Sequence, residues 1–399
     1  MQSLKISSYT LTTALGAGVS SNWLALKNGA SGLKPCSEID INDLTTWVGE
    51  VSGLDAAKLD ENLNEFECRN NRLAALALEQ DNFSDRVRDA INRYGKHRVA
   101  IYIGTSTSGI QHTELAYAER QAQLPDNTSL PEWYSYANTH NIYSPAEFVR
   151  QYFELDGLCM SVSTACSSSA KVFASAQRAL EADLCDAVIV GGVDTLCYTT
   201  LYGFNSLQVI AQDICRPSDT DRDGISIGEA AGFALIEKQK PSIGDIAFLG
   251  YGESADAYHM STPHPEGKGA ELAMRAALDV AELEPQDVDY INLHGTGTKA
   301  NDLSESISVS HLFGTETPCS STKGWTGHTL GAAGIVEAIY SMLCIKNNWL
   351  PQSLNTNQID PKITSHILED ALSIPVKTVL SNSFGFGGSN CSLIFGEVK

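Results

Sequence analysis

Short runs of β-branched and aromatic residues alternate with alanine-rich segments along most of the chain. The runs "RVAIYIGT", "DAVIVGG" and "VDYINLHG" have few interior polar positions, which is typical of strands buried on both faces. Segments such as "SSSAKVFASAQRAL" have instead the length and composition of helices. The alternation predicts an α/β fold with largely buried strands.

A faint internal repeat runs through this alternation. The stretch "MSVSTACSSSAKVFASAQRAL" predicts a strand, a turn of small residues and a helix, and "CSSTKGWTGHTLGAAGIVEAIYSML" has the same layout nearer the C-terminal end. No linker rich in proline or serine divides the chain. We therefore expect two similar halves, residues 1–240 and 241–399, that meet between Lys238 and Ile243.

Composition narrows the class of protein. A chain of 399 residues with 43% hydrophobic content can bury a large core. Its 27 lysines and arginines against 48 acids give a net charge of −21, which argues against general nucleic-acid binding. The N-terminal stretch has no signal-peptide pattern, and the apolar runs are far shorter than the ~20 residues that span a bilayer. We therefore expect a soluble, cytoplasmic protein without a membrane span.

Cys166 stands out among the ten cysteines because "VSTACSSSAKV" surrounds it with small side chains. No CxxC pair is present, so the cysteines predict neither a zinc site nor a disulfide framework. At the start of the following helix, Cys166 would gain from backbone N–H groups and the helix dipole, which lower a thiol pKa and stabilise an oxyanion. Its small neighbours would leave room for a substrate. From position alone, a cysteine that packs as a small hydrophobe explains the stretch equally well.

A thiolate nucleophile usually works with a histidine. His294 in "INLHGTGT" and His328 in "KGWTGHTLGAAG" lie in similar glycine-rich turns, and this matching setting favours a catalytic role for both. His259 and His264 belong to a polar, proline-containing loop, where we expect them to be solvated. The turns "GFGGSN" and "HGTGT" match neither the dinucleotide fingerprint nor the P-loop, so nucleotide binding is not expected.

Five ordered motifs give the chain a specific resemblance to a known family. They are "STACSSSA", "RPSDTDRDGISIGEAAG", "LHGTGTKANDLSE", "STKGWTGHTLGAAGIVEAIYS" and "SNSFGFGGSN". With them the chain resembles the β-ketoacyl-acyl carrier protein synthases of types I and II, the elongating condensing enzymes of the thiolase superfamily. The resemblance extends from the opening segment to the last strand. It implies a thiolase-like duplicated αβαβα five-layer fold and a dimeric assembly.

The resemblance also implies roles for individual residues. Cys166 would be the nucleophile, with His294 and His328 as the two active-site histidines. Lys323 would order the site by pairing with Glu305. The remaining implied site residues are the acids Asp302 and Glu337, Phe386 as gate and, with Cys166, as a backbone N–H donor to an oxyanion, Thr296 and Thr298 toward the phosphopantetheine arm, Phe204 and Thr107 beside the acyl pocket, and Arg69 and Arg72 on a carrier-protein patch.

The implied reaction is a decarboxylative Claisen condensation. A cysteine-bound acyl chain would condense with malonyl carrier protein, in fatty acid, polyene or related polyketide chain elongation. The reaction would need no metal and no cofactor, because the substrates arrive on the phosphopantetheine of an acyl carrier protein. The implied assembly is a homodimer, or a heterodimer with a related ketosynthase subunit.

The chain departs from the family pattern at two places. The motif "HGTSTPxGD" is here "HGTGTKAND", with Lys299 and Asn301 in place of proline and glycine, and we expect a retuned loop with intact catalysis. Residues 121–149 contain no lysine or arginine and carry several aromatic residues. These aromatics suggest a specialised acyl substrate, such as the conjugated or aryl chains of an aryl-polyene pathway. Aromatic residues of a dimer interface would give the same pattern.

Three other kinds of protein compete with this interpretation. A non-catalytic chain-length-factor partner keeps the fold but typically lacks the active cysteine, so an intact Cys166 argues against it. A thiolase acting on coenzyme A esters would use a second cysteine as base. Cys391 follows the "GFGGSN" turn, but we interpret it as strand packing. A cysteine hydrolase would need a positioned water, which no motif here provides.

Overall fold

A computed structural model describes residues 3–36, 44–124 and 128–398 of the chain. The strands in these residues are β1 (Leu4–Thr13), β2 (Gly16–Ala17), β3 (Leu33–Pro35), β4 (Trp47–Gly49), β5 (Val99–Gly104), β6 (Cys159–Val162), β7 (Ala187–Asp194), β8 (Ile227–Gly228), β9 (Ala230–Glu237), β10 (Ile246–Ala255), β11 (Tyr290–Asn292), β12 (Pro318–Ser320), β13 (His366–Ile367), β14 (Thr378–Gly385) and β15 (Ser389–Glu397). The α-helices are α1 (Val19–Lys27), α2 (Arg69–Leu78), α3 (Phe83–Tyr94), α4 (Ile110–Ala122), α5 (Ser144–Tyr152), α6 (Ser168–Glu181), α7 (Tyr198–Ser206), α8 (Lys268–Ala281), α9 (Lys299–Phe313), α10 (Lys323–Thr326) and α11 (Ala333–Asn347). Within the described ranges, no helix has the length and apolar character that crossing a membrane requires.

Ten strands of the large sheet form two sets of five with the same pairing order. In one set β1 pairs with β9, β9 with β7, β7 with β5 and β5 with β6; in the other β10 pairs with β15, β15 with β14, β14 with β11 and β11 with β12. The first two pairings of each set are antiparallel and the last two are parallel. The sets join where β1 meets β10. The predicted duplication is therefore confirmed in the strand pairing.

The two sets enclose a central layer made of α6 and α11. Helix α6 packs on β5 and β7 of one set and on β10 and β15 of the other, while α11 packs on β14 and β15 and also on β9. Helices α2, α3 and α5 cover the outer face of the first set, and α8, which packs on α9, covers the outer face of the second. Helices and strands therefore stack in five αβαβα layers, as predicted.

The central helices lie so close that no side chain fits at their crossing. A Cβ built on Gly334 of α11 would lie 2.4 Å from the backbone nitrogen of Ala170 in α6. Beside this contact the Ile335 N–H donates to the Ser169 hydroxyl at 3.0 Å. Every residue of α11 from Ala333 to Ile345 is buried, as expected for a helix covered on all sides. This crossing brings the segments that precede the two helices to one place.

Candidate active site

The nucleophile lies in a sharp turn between β6 and α6. Ala165 has a φ of 53°, in the left-handed region, so the chain reverses just before Cys166. The Ser167 hydroxyl donates to the carbonyl of Thr164 at 2.9 Å, and that of Ser168 accepts from the Thr164 N–H at 2.9 Å. Both serines are fully buried and neither lines the cavity described next. The structure gives these two serines a second role, because their hydroxyls close the turn.

A cavity of about 180 Å³ opens beside the turn. Cys166, His294 and His328 lie at its buried end, and the rings of the two histidines meet edge to face with centroids 5.3 Å apart. One ligand atom from each of the three residues lies within 4.8 Å of the other two. The structure thus brings together three residues that are widely separated in the sequence.

His328 is held by both its backbone and its ring. Its N–H donates to the carbonyl of Ser226 at 2.7 Å and its carbonyl accepts from the Gly228 N–H at 2.9 Å. The Nδ1 atom accepts from the Leu330 N–H at 3.1 Å. A neutral imidazole that accepts at Nδ1 carries its proton on Nε2. His328 is therefore fixed as an Nε2–H donor.

His294 reaches the same tautomer through a different partner. The Lys323 ammonium lies 3.3 Å from its Nδ1 and also donates to its carbonyl oxygen at 2.5 Å. Because an ammonium group has no acceptor, Nδ1 must accept and Nε2 carries the proton. The backbone N–H groups of His294 and Gly295 donate to the two carboxylate oxygens of Glu305, each at 2.8 Å. Asn382 donates to Glu305 at 3.1 Å.

Lys323 forms its ion pair with Glu337 of α11, and the predicted pairing with Glu305 is wrong. Both oxygens of Glu305 are already taken by backbone N–H groups of the turn at His294. Asp302 holds the next part of that turn, since it accepts from the Gly297 N–H at 3.2 Å and lies 3.4 Å from the Arg222 guanidinium. Glu305 and Asp302 therefore hold the turn that follows His294, while Lys323 contacts the His294 ring.

Burial controls the charge of each group in the site. Burial and the nearby Lys323 charge hold the pKa of both His294 and His328 well below the usual value, so both rings are neutral. Burial raises the pKa of the Cys166 thiol to about 11, although Lys323 and the N–H groups of Phe386 and Cys166 lower it. The expected low thiol pKa is therefore not found, because desolvation outweighs the helix N-terminus.

Neutral Nε2–H donors suit an oxyanion better than a metal ion. A metal ligand must present a lone pair at the coordinating nitrogen, and here the proton occupies it. The same N–H groups can donate to an oxygen that gains negative charge. The chemistry of this cysteine and its two histidines thus favours stabilisation of an enolate or a tetrahedral intermediate.

The cavity walls contain most of the residues expected to meet the substrate. Thr296 and Thr298 line it, with their hydroxyls 2.9 Å apart. The rings of Phe204 and Phe386 face each other at 5.6 Å between centroids. Phe386 belongs to a turn whose next residue, Gly387, has a φ of 82° that favours glycine. His259, expected to be only solvated, is exposed but also lies in the wall.

Thr107 does not reach the cavity. Its hydroxyl donates to the Asp194 carboxylate at 2.7 Å, and its side chain is buried in that contact. Thr107, expected beside the acyl pocket, is therefore not among the residues that line this cavity. Cys391, the candidate second cysteine of a thiolase, is buried in β15 and does not line the cavity either.

Arg69 is not a surface residue. Its guanidinium forms a two-pronged contact with Glu229 at 2.7 and 2.9 Å and also contacts Glu50 and Asp55. With only 6% of its surface exposed, Arg69 is unavailable to a carrier protein, which corrects the predicted patch. Arg72 is 23% exposed at its side chain and pairs with Glu67 at 2.5 Å.

Some residues that shape the site were not predicted from the sequence. Ser226 and Gly228 belong to a quoted motif, but only the structure shows that they hold the backbone of His328. Asp194 ends the strand β7, and nothing in its local pattern points to the histidine turn. Asn382 donates to the Glu305 carboxylate, which also accepts from the backbone N–H of His294. Ser226, Gly228 and Asn382 lie within the quoted motifs, whereas the only local signal for Asp194 was a polar residue at the end of a buried strand.

Comparison with known proteins agrees with this geometry. The sequence model of the family described as "Beta-ketoacyl synthase, N-terminal domain" matches residues 2–242, and that of "Beta-ketoacyl synthase, C-terminal domain" matches residues 247–357. The 3-oxoacyl-[acyl-carrier-protein] synthase 2 of Staphylococcus aureus is 29% identical over 408 residues, covering 96% of this chain and 97% of that protein. The protein of the same name from Coxiella burnetii is 31% identical, covering 97% of both chains.

A solved structure extends the comparison to three dimensions. A chain from the complex of the ketosynthase ApeO with its chain length factor ApeC, from Xenorhabdus doucetiae, is 40% identical with a TM-score of 0.92. The match covers 100% of this chain and 98% of that one. The fold and the cysteine–histidine–histidine cluster define a thiolase-fold condensing enzyme. The chain belongs to the β-ketoacyl synthase family.

We expect Arg69→Met to lower the free energy of unfolding by about 3–5 kcal/mol, because it leaves the fully buried Glu229 carboxylate without its cation. Urea unfolding of the purified variant measures this change. Arg72→Met, which breaks a partly exposed pair, is the matched control and should cost less than about 1 kcal/mol. Equal costs for the two variants would contradict the assignment of Arg69 to the core.

We expect the rate of Cys166 alkylation by iodoacetamide to rise about tenfold per pH unit from about pH 7 to about pH 9, because only the thiolate reacts. A thiol with a pKa of about 11 is still mostly protonated throughout this range. Intact-mass measurement follows the reaction, and Cys166→Ala identifies labelling at other cysteines. A rate that is constant across the range would mean a thiol pKa below it.

Proposed function

We propose that this protein is a β-ketoacyl-acyl carrier protein synthase. It transfers an acyl chain to Cys166 and extends it by decarboxylative condensation with malonyl carrier protein. The observation that carries the proposal is the pair of neutral histidines fixed as Nε2–H donors next to a buried cysteine. Two such donors stabilise an oxygen anion without taking a proton, which a general-base role would require.

The first half-reaction loads Cys166. The sulfur attacks the thioester carbonyl of an acyl carrier protein, forming a carbon–sulfur bond and a tetrahedral oxyanion. The N–H groups of Cys166 and Phe386 already point at the Cys166 sulfur, so an oxyanion formed there would meet two donors. Collapse breaks the bond to the phosphopantetheine sulfur, which leaves with the thiol proton. The products are an acyl-cysteine and the free carrier thiol.

The second half-reaction uses the histidines. When malonyl carrier protein loses CO2, the electrons of the broken carbon–carbon bond enter an enolate on its thioester. The enolate oxygen accepts from the Nε2–H groups of His294 and His328. Its carbon then attacks the acyl-cysteine carbonyl, and the Cys166 sulfur leaves and regains a proton. The proton that Cys166 regains comes from water, and every other group in both steps comes from the chain or its substrates.

The two halves of the chain divide this work. Residues 1–240 carry Cys166, while residues 241–399 carry His294, His328 and Lys323. The cavity lies where the halves meet, because Cys166 precedes α6 and His328 precedes α11. In this proposal, Thr296 and Thr298 guide the phosphopantetheine arm and the Phe204–Phe386 pair gates the way to Cys166.

We further propose a specialised assembly in which this chain is the catalytic subunit beside a chain length factor. The 40% identity to a chain of the Xenorhabdus ketosynthase–chain length factor complex favours it, and so does the intact catalytic cluster. At the end of the described sheet, β6 pairs only with β5 and exposes Met160, with Leu158 exposed just before it. Trp133 and Tyr136, from the aromatic stretch 121–149, are exposed too, although its residues 125–127 lie outside the described residues.

We expect His328→Ala to lower decarboxylation of malonyl carrier protein about 10²–10³-fold, because one enolate donor is lost. Acyl transfer to Cys166 should remain. Release of CO2 measures decarboxylation, and the intact mass of the acyl-enzyme measures acyl transfer to Cys166. A panel of acyl carrier proteins used in the second assay also identifies the preferred acyl chain. Cys166→Ala should abolish condensation. Full condensation by Cys166→Ala, or no acylation of His328→Ala, would contradict the mechanism.

We expect this chain to form a one-to-one complex with a related subunit that lacks the active cysteine, when the two are co-expressed. Apolar residues at the β6 edge are better covered by a partner than left in water. Native mass spectrometry measures the complex, and Met160→Asp should weaken it while exposed Leu272→Asp on α8, the control, should not. A homodimer with full condensing activity that excludes the second subunit would contradict the heterodimer.

A further inference from the structure

Asp194 is a buried carboxylate outside the cavity whose hydrogen bonds join the loop after β5 to the turn that follows His328. It ends β7 and is fully buried, and it does not line the cavity. Its Oδ1 accepts from the hydroxyls of Thr105 and Thr107 at 2.6 and 2.7 Å. Its Oδ2 accepts from the Ser106 hydroxyl and the Gly331 N–H, both at 2.6 Å.

The contact with Gly331 crosses from one half of the molecule to the other. Asp194 and the loop after β5 belong to the half that carries Cys166, whereas Gly331 lies in the turn between His328 and α11. A Cβ on Gly331 would lie 2.7 Å from Asp194 Oδ2, so the turn sits directly on the carboxylate. Asp194 thus ties the histidine turn to the nucleophile's half.

The turn that Asp194 holds is also the one that sets the tautomer of His328. Leu330, the neighbour of Gly331, has a left-handed φ of 55°, a conformation that a leucine keeps only when its surroundings impose it. Its N–H points at His328 Nδ1 at 3.1 Å. Without the anchor at Gly331, Leu330 is free to relax, and the donor that keeps the proton on Nε2 is lost.

We propose that Asp194 is a positioning residue for decarboxylation, acting through the Gly331 and Leu330 N–H groups on His328. This inference rests on the proposed function, because it concerns the half-reaction in which His328 donates to the enolate. Asp194 touches neither substrate nor reacting atoms. It determines which nitrogen of His328 carries the proton and where that nitrogen points.

Asp194→Asn is the sharpest test, because asparagine has the same shape but only one acceptor oxygen. Its NH2 group must face a backbone N–H on one side, either that of Gly331 or that of Thr107, and neither can accept. We expect CO2 release from malonyl carrier protein to fall at least about tenfold, with acylation of Cys166 changed by no more than about twofold. Purified wild type and variant are compared at equal concentration, with thermal unfolding to confirm the fold.

A double-mutant cycle separates positioning from general support of the fold. In the His328→Ala background, Asp194→Asn should cause no further loss of CO2 release, since the group it positions is gone. Asp219→Asn is the matched control. Asp219 is a buried acid that accepts from the backbone N–H groups of Asn357 and Gln358 at 2.7 and 3.0 Å, and it should not separate the two half-reactions.

A milder variant covers the case in which Asp194→Asn does not fold. Ser106→Ala removes the hydroxyl that donates to Asp194 and accepts from Gly331 at 3.2 Å, and should lower CO2 release about threefold with acylation intact. Equal losses in both half-reactions, an additional loss on top of His328→Ala, or no change at all would overturn the inference. Wild-type protein that releases no CO2 would instead refute the proposed function.

Discussion

The backbone-to-backbone contact of α6 with α11 is the constraint on which the site depends. Only a glycine at position 334 allows it, because any Cβ would meet Ala170. Cys166 lies just before one helix and His328 just before the other, so the crossing fixes how far apart they are. A closely packed core resists deformation, so it holds Cys166 and His328, which come from the two halves, at a fixed separation.

Burial of this crossing also decides the electrostatics. In the dry interior the histidines are neutral, the Cys166 thiol has a raised pKa, and Lys323 pairs with Glu337. The acid nearest the His294 turn is satisfied by backbone N–H groups instead of a cation. The site is therefore rich in N–H donors and poor in bases, which suits negative charge that appears only during a reaction.

The sequence predicted the α/β alternation and the duplication, because strands and turns are local patterns, and its motifs singled out Cys166, His294 and His328, which the structure brings together. The sequence did not predict the contacts between side chains that lie far apart along the chain. Arg69 resembles an ordinary helix arginine until Glu229, which lies between β8 and β9 far along the chain, is placed against it. The motifs offered both Glu305 and Glu337 near Lys323. Only the structure showed that backbone N–H groups occupy Glu305, so that Lys323 pairs with Glu337.

The sequence by itself determined which residues are the candidates for the chemistry, since Cys166, His294 and His328 stand out through their local turn settings and through the family motifs that contain them. Only the tertiary structure decided the protonation of those residues. The proton on Nε2 of His328 follows from one backbone N–H at Leu330, in a turn anchored by Asp194 from the other half of the molecule. Tautomers and pKa values depend on partners and burial, and both are set by contacts between segments that no local pattern specifies.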